Sequence, residues 1–193
     1  MTSQEVLDFW FLPPTAEDYG KPREAWFRKD ARFDASIAER FGAAIAQAVA
    51  GGLREWDREG AQGTLARILV LDQFTRNAFR GTPESFAGDA LALAAAAELE
   101  ASGADRMLAP LQRWFAYMPF EHAEDARMQE KSVTLFGELA RVNNGDFAGA
   151  LDYAHKHRGV IARFGRFPHR NAILGRASTP EELAFLSQPG SGF

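Results

Sequence analysis

The sequence predicts an all-α fold, on three observations. Apolar residues recur every three to four positions almost throughout the chain, the breaks between periodic segments are short and rich in Gly and Pro, and no β-branched alternating run of four to eight residues occurs. The first helix is expected to end at Pro13-Pro14. A second starts near Arg23 and carries Phe27, Phe33, Ile37, Phe41, Ile45 and Val49 on one face until Gly51-Gly52 interrupts it. A third runs from Gln62 to Phe79, where Arg80-Gly81-Thr82-Pro83 stops it. An alanine-rich helix follows from Glu84 to about Ala101, and another from Leu108 to Tyr117, with Pro110 tolerated in its first turn. Pro119 is read as the break before a helix from Glu121 to Val142. Asn143-Asn144-Gly145 is a tight turn, Asp146 is a candidate cap for a helix reaching Phe164, and Thr179-Pro180-Glu181-Glu182 opens the last one. Short connections place consecutive helices side by side, so the expected architecture is an antiparallel bundle of helix pairs within one domain spanning 1–193.

Composition narrows the function classes. The chain of 193 residues is 46% hydrophobic and 25% charged, ordinary values for a globular domain. Its net charge of −4 argues against a nucleic-acid binder or a polybasic membrane-surface protein. Cysteine is absent, so thiolate zinc sites, iron–sulfur clusters and thiol nucleophiles are excluded. The N-terminal stretch lacks the cationic region of a secretory signal, and the charge-free run Phe41 to Leu53 is too short to span a bilayer. A cytoplasmic protein without a membrane partner is the expectation.

Three strings stand out: Leu71-Asp72-Gln73-Phe74-Thr75-Arg76-Asn77-Ala78-Phe79-Arg80-Gly81, Tyr117-Met118-Pro119-Phe120-Glu121-His122-Ala123-Glu124-Asp125, and Arg163-Phe164-Gly165-Arg166-Phe167-Pro168-His169-Arg170-Asn171. In this order they resemble the bacterial family called domain of unknown function 924, over nearly the full chain. The resemblance implies an all-helical, tetratricopeptide-like fold and no activity, substrate or catalytic residue. The run from Gly145 to Ala154 resembles a tetratricopeptide repeat start, but the 34-residue period does not recur.

Chemistry must come from the residues themselves. Stepping about 100° per residue from Leu65 puts Asp72 and Arg76 on the same face as Ile68, Leu69 and Phe79, with Val70, Leu71 and Phe74 opposite. This helix is therefore expected to be central, with the two charges paired inside it. The same count gives Glu121 and Asp125 an inward position at the start of the next long helix, and sets Arg158 in the stripe of Phe147, Leu151, Ala154 and Ile161. Five arginines, Arg158, Arg163, Arg166, Arg170 and Arg176, fall within nineteen residues, two of them (Arg166 and Arg170) in the Pro-containing turn Gly165 to Asn171 with His169.

The candidate site is accordingly a pocket for a small polar or anionic ligand, where the Glu121 helix start meets the Gly165 to Asn171 turn. Asp72, Arg76, Asp125, Arg158, Arg166 and Arg170 are its candidate binding residues, and His169, His122 and Glu121 its candidate acid–base groups. No metal or cofactor is expected, because no dedicated ligand spacing or nucleotide fingerprint occurs. The alternative is a non-catalytic scaffold that holds a partner peptide, with the arginines paired to acidic helix ends.

Overall fold

The computed structural model describes residues 1–192. Among the described residues the regular structure is helical, without a strand: α1 (Ser3–Phe11), α2 (Ala31–Val49), α3 (Ala61–Leu69), α4 (Thr75–Ala78), α5 (Asp89–Ala101), α6 (Pro110–His122), α7 (Ala126–Val142), α8 (Ala148–Phe164) and α9 (Pro180–Leu186), joined by short turns. They fall into two compact units, one of Met1–Arg80 with Glu84–Pro119, the other of Gly81–Pro83 with the residues from Phe120 onward. No helix among the described residues is long and apolar enough to cross a membrane.

In the first unit, Thr2 and Glu5 form a capping box that starts α1. Its C-terminal carbonyls are served from outside the helix: Arg23 donates to Phe9 O and Trp10 O at 2.7 Å, and Trp26 Nε1 to Trp10 O at 3.0 Å. Arg23 therefore lies before the second long helix rather than at its start. Asp30 caps α2 instead, accepting from the amides of Arg32 and Phe33. The aromatic rings meet as a packed core in which Phe41 and Phe74 lie 4.7 Å apart and Trp10 stands edge-on to Phe115 at 5.4 Å. Tyr117 on α6 donates to buried Asp105 and accepts from Arg113 Nε at 3.0 Å, which ties the Ala104–Met107 turn to α6.

Helix α3 does not continue regularly to Phe79. A π-helical turn, Val70–Phe74, separates α3 from α4, and every residue of it is buried. Three consecutive side chains reach back to its carbonyls: Thr75 Oγ1 donates to Leu71 O at 2.7 Å, Arg76 Nη1 to Asp72 O at 2.9 Å, and Asn77 Nδ2 to Gln73 O at 2.7 Å. Gly88 packs against the same turn, so closely that a Cβ placed there would lie 2.0 Å from Leu71 O. That approach sets the next residue, Asp89, within reach of Arg76.

Pro119 lies inside α6, which runs on to His122. Proline there forfeits one backbone bond without ending the helix. The break that the sequence set at Pro119 falls at Ala123–Asp125, and Asp125 caps α7 through the amides of Arg127 and Met128. In the second unit α7 and α8 form an antiparallel hairpin. Glu130 faces Arg158, and Gly137 faces Leu151, so Ser132 stands level with Lys156 and one residue from His157. Asp146 stays in the turn and does not cap α8, whose N-cap is Phe147. Gly165, in the left-handed conformation at φ 70, ends α8. The expected cap of the last helix is present: Thr179 and Glu182 make a capping box with Pro180 in the first turn.

Candidate functional site

Within the second unit, the end of α6, the middle of α8 and the turn after α8 bring ionisable side chains together. Glu121 belongs to the last turn of α6, not to the first turn of a helix, and its side chain is 6% exposed. Its Oε1 lies 3.0 Å from Nδ1 of His157 on α8, which is equally buried. The same Nδ1 is 2.9 Å from Tyr153 O. Two acceptors at one ring nitrogen require that Nδ1 carry the proton, which leaves Nε2 as the basic atom of the neutral ring.

Around this pair stand His122, with its ring 6.4 Å from that of His157, and Phe167, whose ring meets the His157 ring edge-on at 5.4 Å. His169 lies 5.7 Å from Phe167, and the Arg170 guanidinium covers the Phe167 face at 4.6 Å while donating to His122 O at 3.0 Å. Burial, reinforced by the positive charge of Arg170, holds the His169 imidazole down to about 4, so it is neutral near pH 7. On α7, Gln129 donates to Glu121 O at 2.7 Å and Ala123 O at 2.8 Å, closing the end of α6. Its Oε1 and the Ser132 Oγ, three residues further on, are buried without a hydrogen-bond partner.

Arg163, Arg166 and Arg176 are engaged by carboxylates. Arg166 holds Glu182 through Nε at 2.6 Å and Nη2 at 2.8 Å. Arg176 grips Glu124 at 2.6 and 2.9 Å, and Glu124 also accepts the Phe167 amide at 2.7 Å. Burial opposes the ionised form of Glu124, but these bonds outweigh it and keep its carboxyl below the usual range. Arg163 pairs with Glu181. Two inward assignments are corrected: Asp125 is an exposed cap, and Arg158 is a surface group, its side chain 39% exposed beside Glu130. Helix α8 turns His157 inward instead, between Ala154 and Ile161.

Asp72 and Arg76 belong to the first unit. Asp72 is fully buried, with Oδ1 2.9 Å from Arg76 Nη1 and Oδ2 accepting from Gln73 Nε2 at 2.6 Å. Asp89 completes the arrangement, 2.8 Å from the same Nη1. Burial works against the guanidinium, yet the two carboxylates raise Arg76 above its ordinary value. Sequence reasoning missed Asp89, a partner supplied by the start of α5. It also named neither Gln129 nor His157 for the site, although the spacing of His157 from Ala154 and Ile161 marks the buried face. Among the described residues no group of three His, Asp or Glu is arranged to hold a metal ion.

The chain gives no match among curated proteins. It is similar to a solved structure described as a protein of unknown function, ATU0120, from Agrobacterium tumefaciens, at 39% identity over 96% of each chain with a TM-score of 0.79. A family model described as bacterial protein of unknown function (DUF924) matches residues 6–190, so the match spans both units and all three of the strings singled out above, and the chain belongs to this family.

Proposed function

We propose that the second unit binds a small polar or anionic ligand beside the Glu121–His157 pair, with His122, His169 and Arg170 as its contacts and an imidazole as proton acceptor. The observation that carries this reading is the buried carboxylate on Nδ1 of His157, which orients the ring and makes Nε2 its basic atom. Neutral His169 and cationic Arg170 add a proton acceptor and a hydrogen-bond donor for an anion next to it. The unsatisfied Gln129 Oε1 and Ser132 Oγ add polar capacity that packing alone does not use. Arg166 is withdrawn from the ligand set by its two bonds to Glu182. The absence of cysteine fits work in the cytoplasm.

The test is a thermal-shift panel of amino acids, small carboxylates and phosphates on the wild type, His169→Asn and Arg170→Lys. A ligand at a hundredfold excess over its dissociation constant stabilises by about 2.7 kcal/mol, a gain that the variants should lose while their ligand-free stability is retained. If no compound shifts the wild type, the cluster is structural.

One observation favours a second reading, a tetratricopeptide-like scaffold for a partner peptide. Arg163, Arg166 and Arg176 are all spent on intramolecular carboxylates, and an apolar groove lies over Val160, Phe164 and Phe185 between α8 and α9. Under that reading the panel stays silent and Phe185→Glu abolishes retention of a peptide partner.

A further inference from the structure

The first unit carries a polar cavity that the ligand reading above does not use. It has a volume of about 180 Å³ and is lined by the Gln4–Asp8 side of α1, by Phe11 and Tyr19, and by Gln62 of α3 with Gln112 of α6. We propose that this cavity binds a small organic ammonium ion, a primary amine carried on an apolar body.

Charge gives the sign of the ligand. Among the described residues that line the cavity, Asp8 alone is charged, and no Lys or Arg is paired with it. Its carboxylate accepts one hydrogen bond, from Gln4 Nε2 at 2.7 Å. A carboxylate has about four acceptor positions, so most of its capacity remains for an ammonium group, which brings three donors. An anionic ligand would meet Asp8 with no compensating cation.

The walls give the ligand's body. Leu7, Phe11, Pro14 and Tyr19 present apolar and aromatic surface, which suits the hydrocarbon of an amine and offers ring faces to its cationic end. The amide floor is preorganised. Gln62 Nε2 donates to Gln112 Oε1 at 2.9 Å, Gln112 Nε2 donates back to Gln62 Oε1 at 3.2 Å, and Gln112 Oε1 also takes the Ala109 amide at 3.1 Å. Gln62 Oε1 retains a second lone pair for an ammonium proton.

The rim is strained. Leu12, which lines the cavity, has φ 68 and ψ 155, a region that residues with a Cβ rarely enter. Arg23 and Trp26 pin the carbonyls just before it, so the strain is held by the fold. Strain of this kind gathers at ligand clamps. Gln4 and Asp8, one turn apart on α1, both line the cavity and are joined by the hydrogen bond between them.

The experiment is calorimetric titration of the full chain with benzylamine and with benzyl alcohol, its neutral counterpart of nearly equal shape. It is run on the wild type and on Asp8→Asn, with thermal melts of both to verify folding. Benzylamine is expected to bind at least tenfold more tightly than benzyl alcohol, and Asp8→Asn to bring the amine down to the alcohol's affinity. Side-chain amide resonances of Gln62 and Gln112 should shift with the amine and not with the alcohol. Equal affinity of amine and alcohol, an amine affinity unchanged by Asp8→Asn, or amide resonances that stay in place on saturation would each overturn the proposal, as would no binding at 10 mM amine. Gln62→Leu removes the acceptor from the floor while Asp8 remains, and should weaken the amine more than the alcohol; equal weakening of both would assign the cavity to apolar packing alone.

Discussion

Adding one methyl group at Gly88 tests whether the π-helical turn and the Arg76 ion pairs are one construction. A Cβ at this position would lie 2.0 Å from Leu71 O and 2.8 Å from Leu71 C, both backbone atoms that no rotamer change can move aside. Relief requires about 1 Å of backbone displacement, and overpacking of this kind costs about 1–3 kcal/mol. The same displacement carries Asp89 away from Arg76, weakening contacts of 2.8 and 3.0 Å in a mostly buried site. Losing part of a buried pair adds about 1 kcal/mol or more. Gly88→Ala should therefore destabilise by about 2–4 kcal/mol, or roughly 4–16 °C in Tm for a chain of this size. Gly42→Ala is the control. Its Cβ meets nothing within 4 Å inside α2, so the substitution should stabilise by about 0.5–1 kcal/mol. Urea denaturation of the two variants beside the wild type checks both signs. A Gly88→Ala variant within about 0.5 kcal/mol of the wild type would refute the reasoning, because the turn would then be free to move.

Asp72→Ala should cost about 3 kcal/mol by urea denaturation, since it takes a fully buried carboxylate from Arg76 and Gln73; Asp89 still compensates the guanidinium, which keeps the loss at the lower end for a broken buried pair. His169 sets a pH dependence: its folded value of about 4 lies below the ordinary imidazole value of 6.5, so the unfolded chain takes up the proton first, and stability falls as pH drops from 6.5 to about 4, by up to about 3 kcal/mol. Urea midpoints at pH 7 and pH 4.5 should show this slope, and His169→Asn should remove most of it. Below that range Glu182, held at about 2 chiefly by Arg166 and the Thr179 amide, contributes stability that is present above 4.5 and lost as pH falls toward 2. Glu182→Gln should accelerate hydrogen exchange over α9 at pH 7, whereas Arg158→Ala, which removes only an exposed pair with Glu130, should change stability by less than about 0.5 kcal/mol.

How far the fold is legible in the sequence depends on which local signals act without tertiary help. Capping chemistry is such a signal, and the Thr179-Pro180-Glu181-Glu182 start of α9 stands where the residues place it. So does the all-round apolar character of the segment from Leu65 to Phe74, which is buried throughout. Proline is more ambiguous. Pro110 opens α6 as its fixed φ favours, but Pro119 rides within the same helix, because one lost backbone bond is a smaller penalty than ending a helix whose side chains are already packed. Moving that one boundary shifts Glu121 from the start of one helix to the end of another, and changes what its carboxylate can reach.

The gathering of charged side chains was legible only in part, for a related reason. A count at a fixed angle per residue presumes an unbroken α-helix. It found the Asp72–Arg76 pair, whose four-residue spacing is local, and lost phase elsewhere. The π turn at Val70–Phe74 winds at a different angle, whereas on the unbroken α8 the neighbours His157 and Arg158 both border the apolar stripe, and it is His157 that is buried. Nothing local tells an arginine which carboxylate it will meet. Arg166 and Arg170 are four residues apart in one basic turn, yet Glu182 takes the first in a bidentate grip while the second lies on Phe167 beside the histidines. The difference is made by α9, which delivers a carboxylate already fixed by its own capping box and so selects Arg166. Arg170 instead donates to His122 O at 3.0 Å and covers the Phe167 ring.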